Sequence, residues 1–146
     1  MAKPADLHDV ASSRLRVLEQ RYTRGRRAIV EVLATAEAPL SIPQILERER
    51  SLAQSSAYRN LAQLESAGIV HRIVTADEFA RYELAEDLTE HHHHLICSHC
   101  GDVRDFTVPP ALEDDLDRAL GRIATEHGFS TDHHRLDLVG TCATCA

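Results

Sequence analysis

The chain has 146 residues, of which 27% are charged and 43% are apolar, so its length suits one domain or two small ones. No apolar run approaches the roughly 20 residues that a membrane-spanning helix needs. The N-terminal segment also lacks the apolar core of a secretion signal. We therefore expect a globular protein that has no membrane partner and works in the cytoplasm.

The formal net charge of −7 is unevenly distributed along the chain. Up to Val74 there are 11 Lys and Arg against 8 Asp and Glu, a net of +3, whereas the remainder has 5 Arg against 15 Asp and Glu, a net of −10. All four cysteines and eight of the ten histidines follow residue 90. A basic front half and an acidic back half rich in metal-binding side chains predict two separate tasks.

The front half has the apolar periodicity of four helices. Apolar residues three and four apart predict a first helix over residues 6–22. Thr23 and Ser41 are typical N-caps and predict the starts of a second and a short third helix. A fourth helix is expected at about residues 54–67, followed by Gly68 at the position where a helix-ending glycine belongs.

Two short helices with a tight connection predict a helix-turn-helix, whose second helix lies in the major groove of DNA. The arginines upstream would neutralise phosphates and so support non-specific affinity. A purely structural bundle with a solvated polar face is the alternative. The candidate DNA-binding residues are Arg14, Thr23, Arg24, Arg26, Ser55, Ser56, Tyr58 and Arg59.

Residues 69–84 change to the alternating pattern of strands. Two runs of this kind flank the segment from Thr75 to Glu78, which predicts a turn and hence a wing-like hairpin. A winged helix-turn-helix domain therefore fits the front half best.

Two Cys-x-x-Cys pairs give the strongest chemical signal in the chain. Each pair can aim two thiolates at one point, so together they predict a closed, structural zinc site. A thioredoxin-like redox pair and reversible disulfides are the alternatives, but the spacing of both pairs favours zinc. The ligands would be Cys97, Cys100, Cys142 and Cys145.

Four consecutive histidines precede the first cysteine pair. On a strand, His91 and His93 would point to one face while His92 and His94 point to the other, so one run could serve two metal sites. Solvated loop histidines are the alternative. Mixed imidazole and carboxylate ligands suit Fe(II), Mn(II), Ni(II) or Zn(II). The remaining candidate ligands are Glu83, Asp105, Glu113, Asp117, His133 and His134.

A helix predicted over residues 111–126 and a last strand over residues 136–140 complete the back half. So few elements leave a sheet edge and an apolar face uncovered, and a second copy of the chain would cover them. We therefore expect a homodimer.

Four segments of the chain carry a resemblance to a known family. They are Tyr22-Thr23-Arg24-Gly25-Arg26-Arg27; Ser56-Ala57-Tyr58-Arg59-Asn60-Leu61 with Gly68-Ile69-Val70; His91-His92-His93-His94-Leu95-Ile96-Cys97-Ser98-His99-Cys100-Gly101; and Gly128-Phe129 leading to His134 and the second cysteine pair. Over most of its length the chain resembles the ferric uptake regulator family of dimeric, metal-sensing bacterial repressors.

The resemblance implies an α+β fold with three parts. Residues 1–84 would form the winged helix-turn-helix DNA-binding domain, residues 85–90 a hinge, and residues 91–146 a small α/β domain for dimerisation and metal binding. It implies that Tyr58 and Arg59 contact the operator and that the four cysteines hold structural Zn²⁺.

The resemblance also implies two further metal sites. A sensor site near the hinge would use Glu83, His92 and His94, and His71 would supply the ligand that iron-type members take from the DNA-binding half, where this chain has Pro39-Leu40. A second site would use His91, His93 and His134 with a helix carboxylate. Counting from Cys100 favours Glu113, while counting back from Gly128 favours Asp117, so both stay candidates.

These features predict a metal-dependent repressor of metal-ion homeostasis that binds a pseudo-palindromic, A/T-rich duplex. Zinc-sensing members of the family often have a cysteine in the sensor site, and here the structural zinc site uses all four cysteines. The resemblance therefore favours Fe²⁺ over Zn²⁺ as the regulatory metal, with Mn²⁺ or Ni²⁺ also chemically suited. A zinc-responsive uptake regulator is the first alternative, and a metal buffer, a peroxide sensor or a zinc-dependent hydrolase follow.

Overall fold

The computed structural model describes residues 4–75 and 79–146. Within these ranges it is an α+β protein, in agreement with the predicted fold class. The helices are α1 (Pro4–Val17), α2 (Arg24–Thr35), α3 (Ile42–Arg48), α4 (Gln54–Ser66) and α5 (Pro110–Glu126), with a short 3₁₀ helix at Glu86–Leu88. The strands are β1 (Leu40–Ser41), β2 (Val70–Ile73), β3 (Arg81–Leu84), β4 (His93–Cys97), β5 (Val103–Phe106) and β6 (Asp137–Gly140).

Two helix starts in the front half follow from side-chain capping. Thr23 accepts a hydrogen bond from the backbone N–H of Arg26, and this satisfies one of the free N–H groups at the start of α2. Ser41 and Gln44 cap each other's backbone at the start of α3 in a capping box. Both predicted N-caps are confirmed.

The first helix is shorter than predicted. It ends at Val17 because Glu19 adopts a left-handed conformation with φ of 56°, and Gln20 N–H then donates to the Leu15 carbonyl at 2.9 Å. Tyr22, which the periodicity placed on this helix, instead lies 2.6 Å from His8 through its hydroxyl group. The predicted extension to residue 22 was therefore wrong.

The wing is a three-stranded sheet in the order β1-β3-β2. β2 and β3 are antiparallel, with His71 opposite Glu83. Gly68 lies between α4 and β2, and its φ of 70° confirms its predicted helix-ending role. The sequence pattern missed β1 because two residues are too few to show alternation. Most of the predicted turn, residues 76–78, lies outside the described residues.

The back half contains a second three-stranded sheet, in the order β5-β4-β6. β4 is antiparallel to β5 and parallel to β6, so the histidine-bearing strand is central. β6 lies at an edge with all four residues exposed, including Leu138 at 52% and Val139 at 67%. The expected uncovered edge and apolar face are thus present.

The two halves differ sharply in how much core they bury. The main hydrophobic core runs from Leu7 to Leu88 and includes Leu88 of the 3₁₀ helix. Beyond residue 90, a stretch described in full, the buried apolar residues are Cys97, Val103 and Ala124. Such a small core supplies little stability, so the back half needs help from metal or from a partner.

No helix in the described ranges is both long enough and apolar enough to cross a lipid bilayer. Residues 85–90, predicted as the hinge, contain the 3₁₀ helix, and its Asp87 is bound by Arg14 of α1. Arg14 also donates to the Gly68 carbonyl at 2.6 Å. Residues 85–90 are therefore tied through Arg14 to both α1 and the end of α4.

Candidate metal centres and nucleic-acid interface

Three groups of metal-binding side chains converge in the described part of the chain, each with its ligand atoms within 4.8 Å of one another. The cysteine cluster is Cys97, Cys100, Cys142 and Cys145; the hinge cluster is Glu83, His92, His94 and Asp105; and the helix cluster is His91, His93, Glu113 and His134.

The cysteine cluster has the spacing of a tetrahedral zinc site. The sulfurs of Cys100 and Cys142 lie 3.8 Å apart, and none of the four cysteines is in a disulfide. Zn–S bonds of about 2.3 Å in a tetrahedron put sulfurs about 3.8 Å apart, whereas a disulfide needs about 2.05 Å. The arrangement therefore fits zinc and does not fit disulfide bonds.

Backbone N–H groups around the first cysteine pair favour the thiolate form. Cys142 N–H donates to the Cys97 sulfur at 3.4 Å, and backbone donors from Cys100, Cys142 and His99 lower the pKa of the Cys97 thiol. Gly101, with φ of 78°, lets the turn close so that its N–H donates to the Cys97 carbonyl at 3.0 Å. A thiolate is the form that binds metal.

The hinge cluster joins the two halves of the molecule. Glu83 comes from wing strand β3, and its Oε2 lies 2.8 Å from His92 Nε2 and 3.0 Å from His94 Nε2. Asp105 Oδ1, from β5, lies 3.8 Å and 3.6 Å from the same two nitrogens. Two imidazoles and two carboxylates thus face one point between the wing sheet and the second sheet.

Hydrogen bonds set the charges in the hinge cluster. Burial would raise the pKa of Glu83, but hydrogen bonds from His92 and His94 outweigh it and lower that pKa to about 2. The hydrogen bond to Glu83 raises the pKa of His92 to about 9 against the effect of burial. His92 also has an acceptor for Nδ1, the Glu90 carbonyl at 2.8 Å, so without metal it is an imidazolium that donates from both nitrogens.

The pKa values of the other two ionisable groups in the hinge cluster, His94 and Asp105, are both raised. Burial opposes protonation of His94, yet its hydrogen bond to Glu83 leaves the pKa raised. Burial raises the pKa of Asp105. Metal binding would replace the Nε2 protons of the two histidines while their Nδ1 hydrogen bonds stay in place.

His71 lies beside the hinge cluster but is not one of the four converging residues. It faces the same side of the wing sheet as Glu83, its cross-strand partner, and both line a cavity of about 420 Å³. Its Nε2 is buried and has no hydrogen-bond partner among the described residues. Burial lowers the pKa of His71, which favours the neutral form that can bind metal.

The helix cluster is built around Glu113 in the first turn of α5. Its Oε1 lies 2.8 Å from His91 Nε2 and 2.7 Å from His134 Nε2, and its Oε2 lies 2.8 Å from His93 Nε2. The His134 nitrogen is buried and is not aligned for a hydrogen bond despite this short distance. Three imidazole nitrogens directed at one carboxylate fit a divalent metal site better than a hydrogen-bond network.

Two acidic residues support the helix cluster from outside. Glu86 of the 3₁₀ helix accepts a hydrogen bond from His91 Nδ1, and Asp117 Oδ1 lies 3.0 Å from His134 Nδ1. Asp117 therefore contacts the far nitrogen of a ligand residue, whereas Glu113 occupies the centre of the cluster. His133, the other candidate, lies 3.7 Å from Glu86 through its Nε2.

The sequence pattern separated the two histidine clusters but missed two of their outer acidic residues, Glu86 and Asp137. His91 and His93 lie in one cluster and His92 and His94 in the other, as strand alternation predicts. Glu86 and Asp137 had no motif to mark them, because their contacts join residues from different elements. Asp105, a candidate by proximity, had no spacing signal that assigned it to the hinge cluster.

The second helix of the helix-turn-helix presents a polar surface. Tyr58 is 53% exposed, Ser55 and Arg59 are also exposed, and Ser56 is half-buried. The opposite face of α4 buries Ala57, Leu61 and Leu64 in the core. The outward side chains are therefore available to a large partner such as DNA.

The predicted DNA-binding residues that precede α4 differ in how accessible they are to DNA. Thr23 and Arg24 are exposed at the start of α2. Arg26 is 9% exposed and donates to Asn60 Oδ1 at 3.1 Å and to the Arg21 carbonyl at 2.8 Å. Arg14 is bound to Gly68 and Asp87, so in this conformation both arginines hold the domain together.

Comparison with known proteins shows similarity to one family of regulators. The model of the ferric uptake regulator family matches residues 18–139. A ferric uptake regulation protein of Cupriavidus metallidurans is 32% identical over 97% of this chain and 92% of its own length. A peroxide operon regulator of Bacillus subtilis is 29% identical over 86% of this chain and 84% of its own length.

The fold is also similar to that of a ferric uptake regulator from Helicobacter pylori described as having three functional metal-binding sites. That structure has a TM-score of 0.75 and 22% identity, with 99% of this chain and 94% of the other covered. By the family match and the length of these alignments, the chain belongs to the ferric uptake regulator family.

Proposed function

We propose that this chain is an Fe(II)-responsive transcriptional repressor of metal-ion homeostasis, acting in the cytoplasm as a homodimer on a pseudo-palindromic, A/T-rich operator. The observation that carries the proposal is the hinge cluster. It takes Glu83 from the DNA-binding domain and His92, His94 and Asp105 from the second domain.

Members of this family are transcriptional regulators and not enzymes, so the hydrolase alternative is dropped. A bound divalent cation supplies the positive charge that lets two carboxylates and two neutral imidazoles stay close together. Glu83 then holds the wing at a fixed orientation to the second domain. This favours one spacing on DNA of the two copies of α4 in a dimer.

The donor set supports iron as the regulatory metal. The hinge cluster offers nitrogen and oxygen atoms, and all four cysteines lie together in a different cluster. Without a thiolate the site suits Fe²⁺ or Mn²⁺, although imidazoles also bind Zn²⁺ and Ni²⁺ well. A zinc-responsive uptake regulator is therefore the alternative that the test must separate.

We assign structural Zn²⁺ to the cysteine cluster and a second exchangeable site to the helix cluster, with Glu113 as ligand and Asp117 as its outer support. His71 remains a candidate fifth ligand of the hinge cluster because its buried Nε2 has no hydrogen-bond partner among the described residues. The exposed face of β6 and α5 is the surface that a second copy would cover.

Asp105 gives a specific reason to consider a second function, peroxide sensing. Its carboxylate is one of the four groups that converge in the hinge cluster, so Asp105 would be a metal ligand there. Similarity to a peroxide operon regulator supports the same idea. Iron-loaded protein exposed to peroxide would then gain oxygen on His92 or His94, which mass spectrometry would detect.

Fluorescence anisotropy of an A/T-rich, pseudo-palindromic duplex tests the main proposal. Fe(II) would be titrated without oxygen and Zn(II) separately at buffered free concentrations, at one fixed salt concentration. We expect binding to rise with Fe(II) and to respond little to trace zinc. Activation by trace zinc would instead identify a zinc-uptake regulator, and equal binding with and without metal would refute metal control.

A further inference from the structure

The two histidines of the hinge cluster are held from outside by different kinds of acceptor. His92 Nδ1 lies 2.8 Å from the Glu90 carbonyl oxygen, a neutral backbone group. His94 Nδ1 lies 3.3 Å from Asp137 Oδ1, a carboxylate. His94 is therefore the histidine of this cluster whose outer partner is an ionisable side chain.

The sheet positions Asp137 for this contact. β6 runs parallel to β4 with Asp137 in register with His94, and His94 N–H donates to the Leu136 carbonyl at 3.4 Å. Arg135 lies 4.0 Å from the other carboxylate oxygen of Asp137, so one oxygen faces the imidazole and the other faces a cation. The backbone pairing thus fixes the carboxylate beside a histidine that is 7% exposed.

We propose that Asp137 is a positioning residue that tunes metal affinity at the hinge cluster through His94. Its carboxylate accepts a hydrogen bond from His94 Nδ1–H, which fixes the tautomer with Nε2 free for metal and holds the ring toward Glu83 Oε2 at 3.0 Å. A carboxylate partner also makes the imidazole a stronger donor to metal. The inference rests on the proposed function because it takes the hinge cluster as a metal site.

Asp137 contributes charge as well as orientation. Glu83 and Asp105 already place two carboxylates around the same point, and Asp137 adds a third beyond His94. Substitution by Asn keeps the size and an acceptor oxygen but removes the charge, whereas substitution by Glu keeps the charge on a longer side chain. The pair of variants separates the role of the carboxylate from that of the strand.

The test uses Co(II) as a spectroscopic probe in the full-length chain with the cysteine cluster loaded with zinc. Glu113→Ala in every sample removes the central ligand of the helix cluster. We expect Asp137→Asn to weaken Co(II) binding at least about tenfold and to shift its visible absorption, and Asp137→Glu to recover most of both. Asp9→Asn, the same charge change on exposed α1, should leave both unchanged.

Two outcomes would overturn the inference. If the Co(II) affinity of Asp137→Asn lies within about threefold of that of its parent, the Glu113→Ala protein, and the spectrum is unchanged, the carboxylate does not tune the site. A loss that Asp137→Glu does not restore, with melting equally disturbed in both variants, would show a structural role. Glu83→Ala identifies the site: if the parent's Co(II) signal survives it, the proposed function fails along with this inference.

Discussion

Glu83 Oε2 lies 2.8 Å from His92 Nε2, and these two atoms belong to different halves of the molecule. Glu83 is on the wing of the DNA-binding domain, whereas His92 directly precedes the central strand of the second sheet. In the metal-free protein the contact is an ion pair between a carboxylate and an imidazolium. Without metal in the hinge cluster, a hydrogen bond between these two side chains links the domains. In our proposal, a metal ion bound by both side chains links them instead.

With zinc in the cysteine cluster and no metal in the hinge cluster, the free energy of unfolding should depend on pH through the Glu83–His92 ion pair. The pKa of Glu83 falls from 4.5 to about 2 on folding, so its contribution is present above pH 4.5 and is lost as pH falls toward 2. The pKa of His92 rises from 6.5 to about 9, so its contribution is present below pH 6.5 and is lost as pH rises through 9.

Urea unfolding of wild type and Glu83→Gln across pH, each with zinc in the cysteine cluster and no metal in the hinge cluster, measures this contribution. We expect the difference in unfolding free energy to be largest between pH 4.5 and 6.5 and to shrink on both sides. A difference that is constant from pH 5 to pH 10 would contradict the ion pair. Glu126→Gln, the same change at an exposed glutamate, is the matched control.

Metal affinity at the hinge cluster should increase with pH. A metal must displace the proton on His92 Nε2, whose pKa is raised to about 9, so affinity at the hinge cluster should rise with pH up to that value. Calorimetric titration of Mn(II) in buffers of different ionisation enthalpy would count the released protons. Binding without proton release at pH 7 would mean that the histidines are not ligands.

The cysteine cluster should control folding of the second domain. The buried apolar residues beyond residue 90 are few, so binding free energy of zinc becomes folding free energy there. A strong chelator, or Cys97→Ser, should abolish the back-half unfolding transition and leave the front-half transition, because the main core lies within residues 7–88. One unchanged cooperative transition after zinc removal would show that the cluster is not structural.

The helix cluster offers a comparison between an inner and an outer carboxylate. Glu113→Gln should remove metal binding at this cluster, because Glu113 contacts all three histidine Nε2 atoms. Asp117→Asn should weaken it about 10- to 100-fold, since Asp117 supports the outer nitrogen of His134. Mn(II) titration of each variant measures this, and the reverse order of effects would make Asp117 the ligand.

Substitution of Arg59 on α4 and of Arg26 on α2 should have different effects. Arg59→Ala should weaken operator binding with little change in stability, because Arg59 is exposed on α4. Arg26→Ala should destabilise the front half by about 2 kcal/mol, because it removes buried charged hydrogen bonds to Asn60 and to the Arg21 carbonyl. If Arg26→Ala keeps full stability but loses DNA binding, Arg26 contacts DNA directly.

Local rules predicted the parts of this structure that depend on neighbours in sequence. N-capping by Thr23 and Ser41 marked two helix starts, and strand alternation separated His92 and His94 from His91 and His93. The end of α1 was not predictable in the same way, because Glu19 adopts a left-handed conformation that usually favours glycine.

Contacts between distant elements could not be read from the sequence. Glu113 and Asp117 are one helical turn apart and share a face of α5, so spacing alone could not decide which one meets the histidine Nε2 atoms. The contact of Asp137 with His94 depends on the register between β6 and β4. Such choices are made by packing in three dimensions.

The most direct test of metal-controlled repression compares wild type with Glu83→Ala in operator binding at fixed salt, each with and without Fe(II) under anaerobic conditions. Glu83 is the hinge-cluster member that comes from the DNA-binding domain. We expect Fe(II) to strengthen binding by wild type at least about tenfold and to have little effect on Glu83→Ala, by loss of the shared ligand. Equal Fe(II) activation of both proteins would contradict the account.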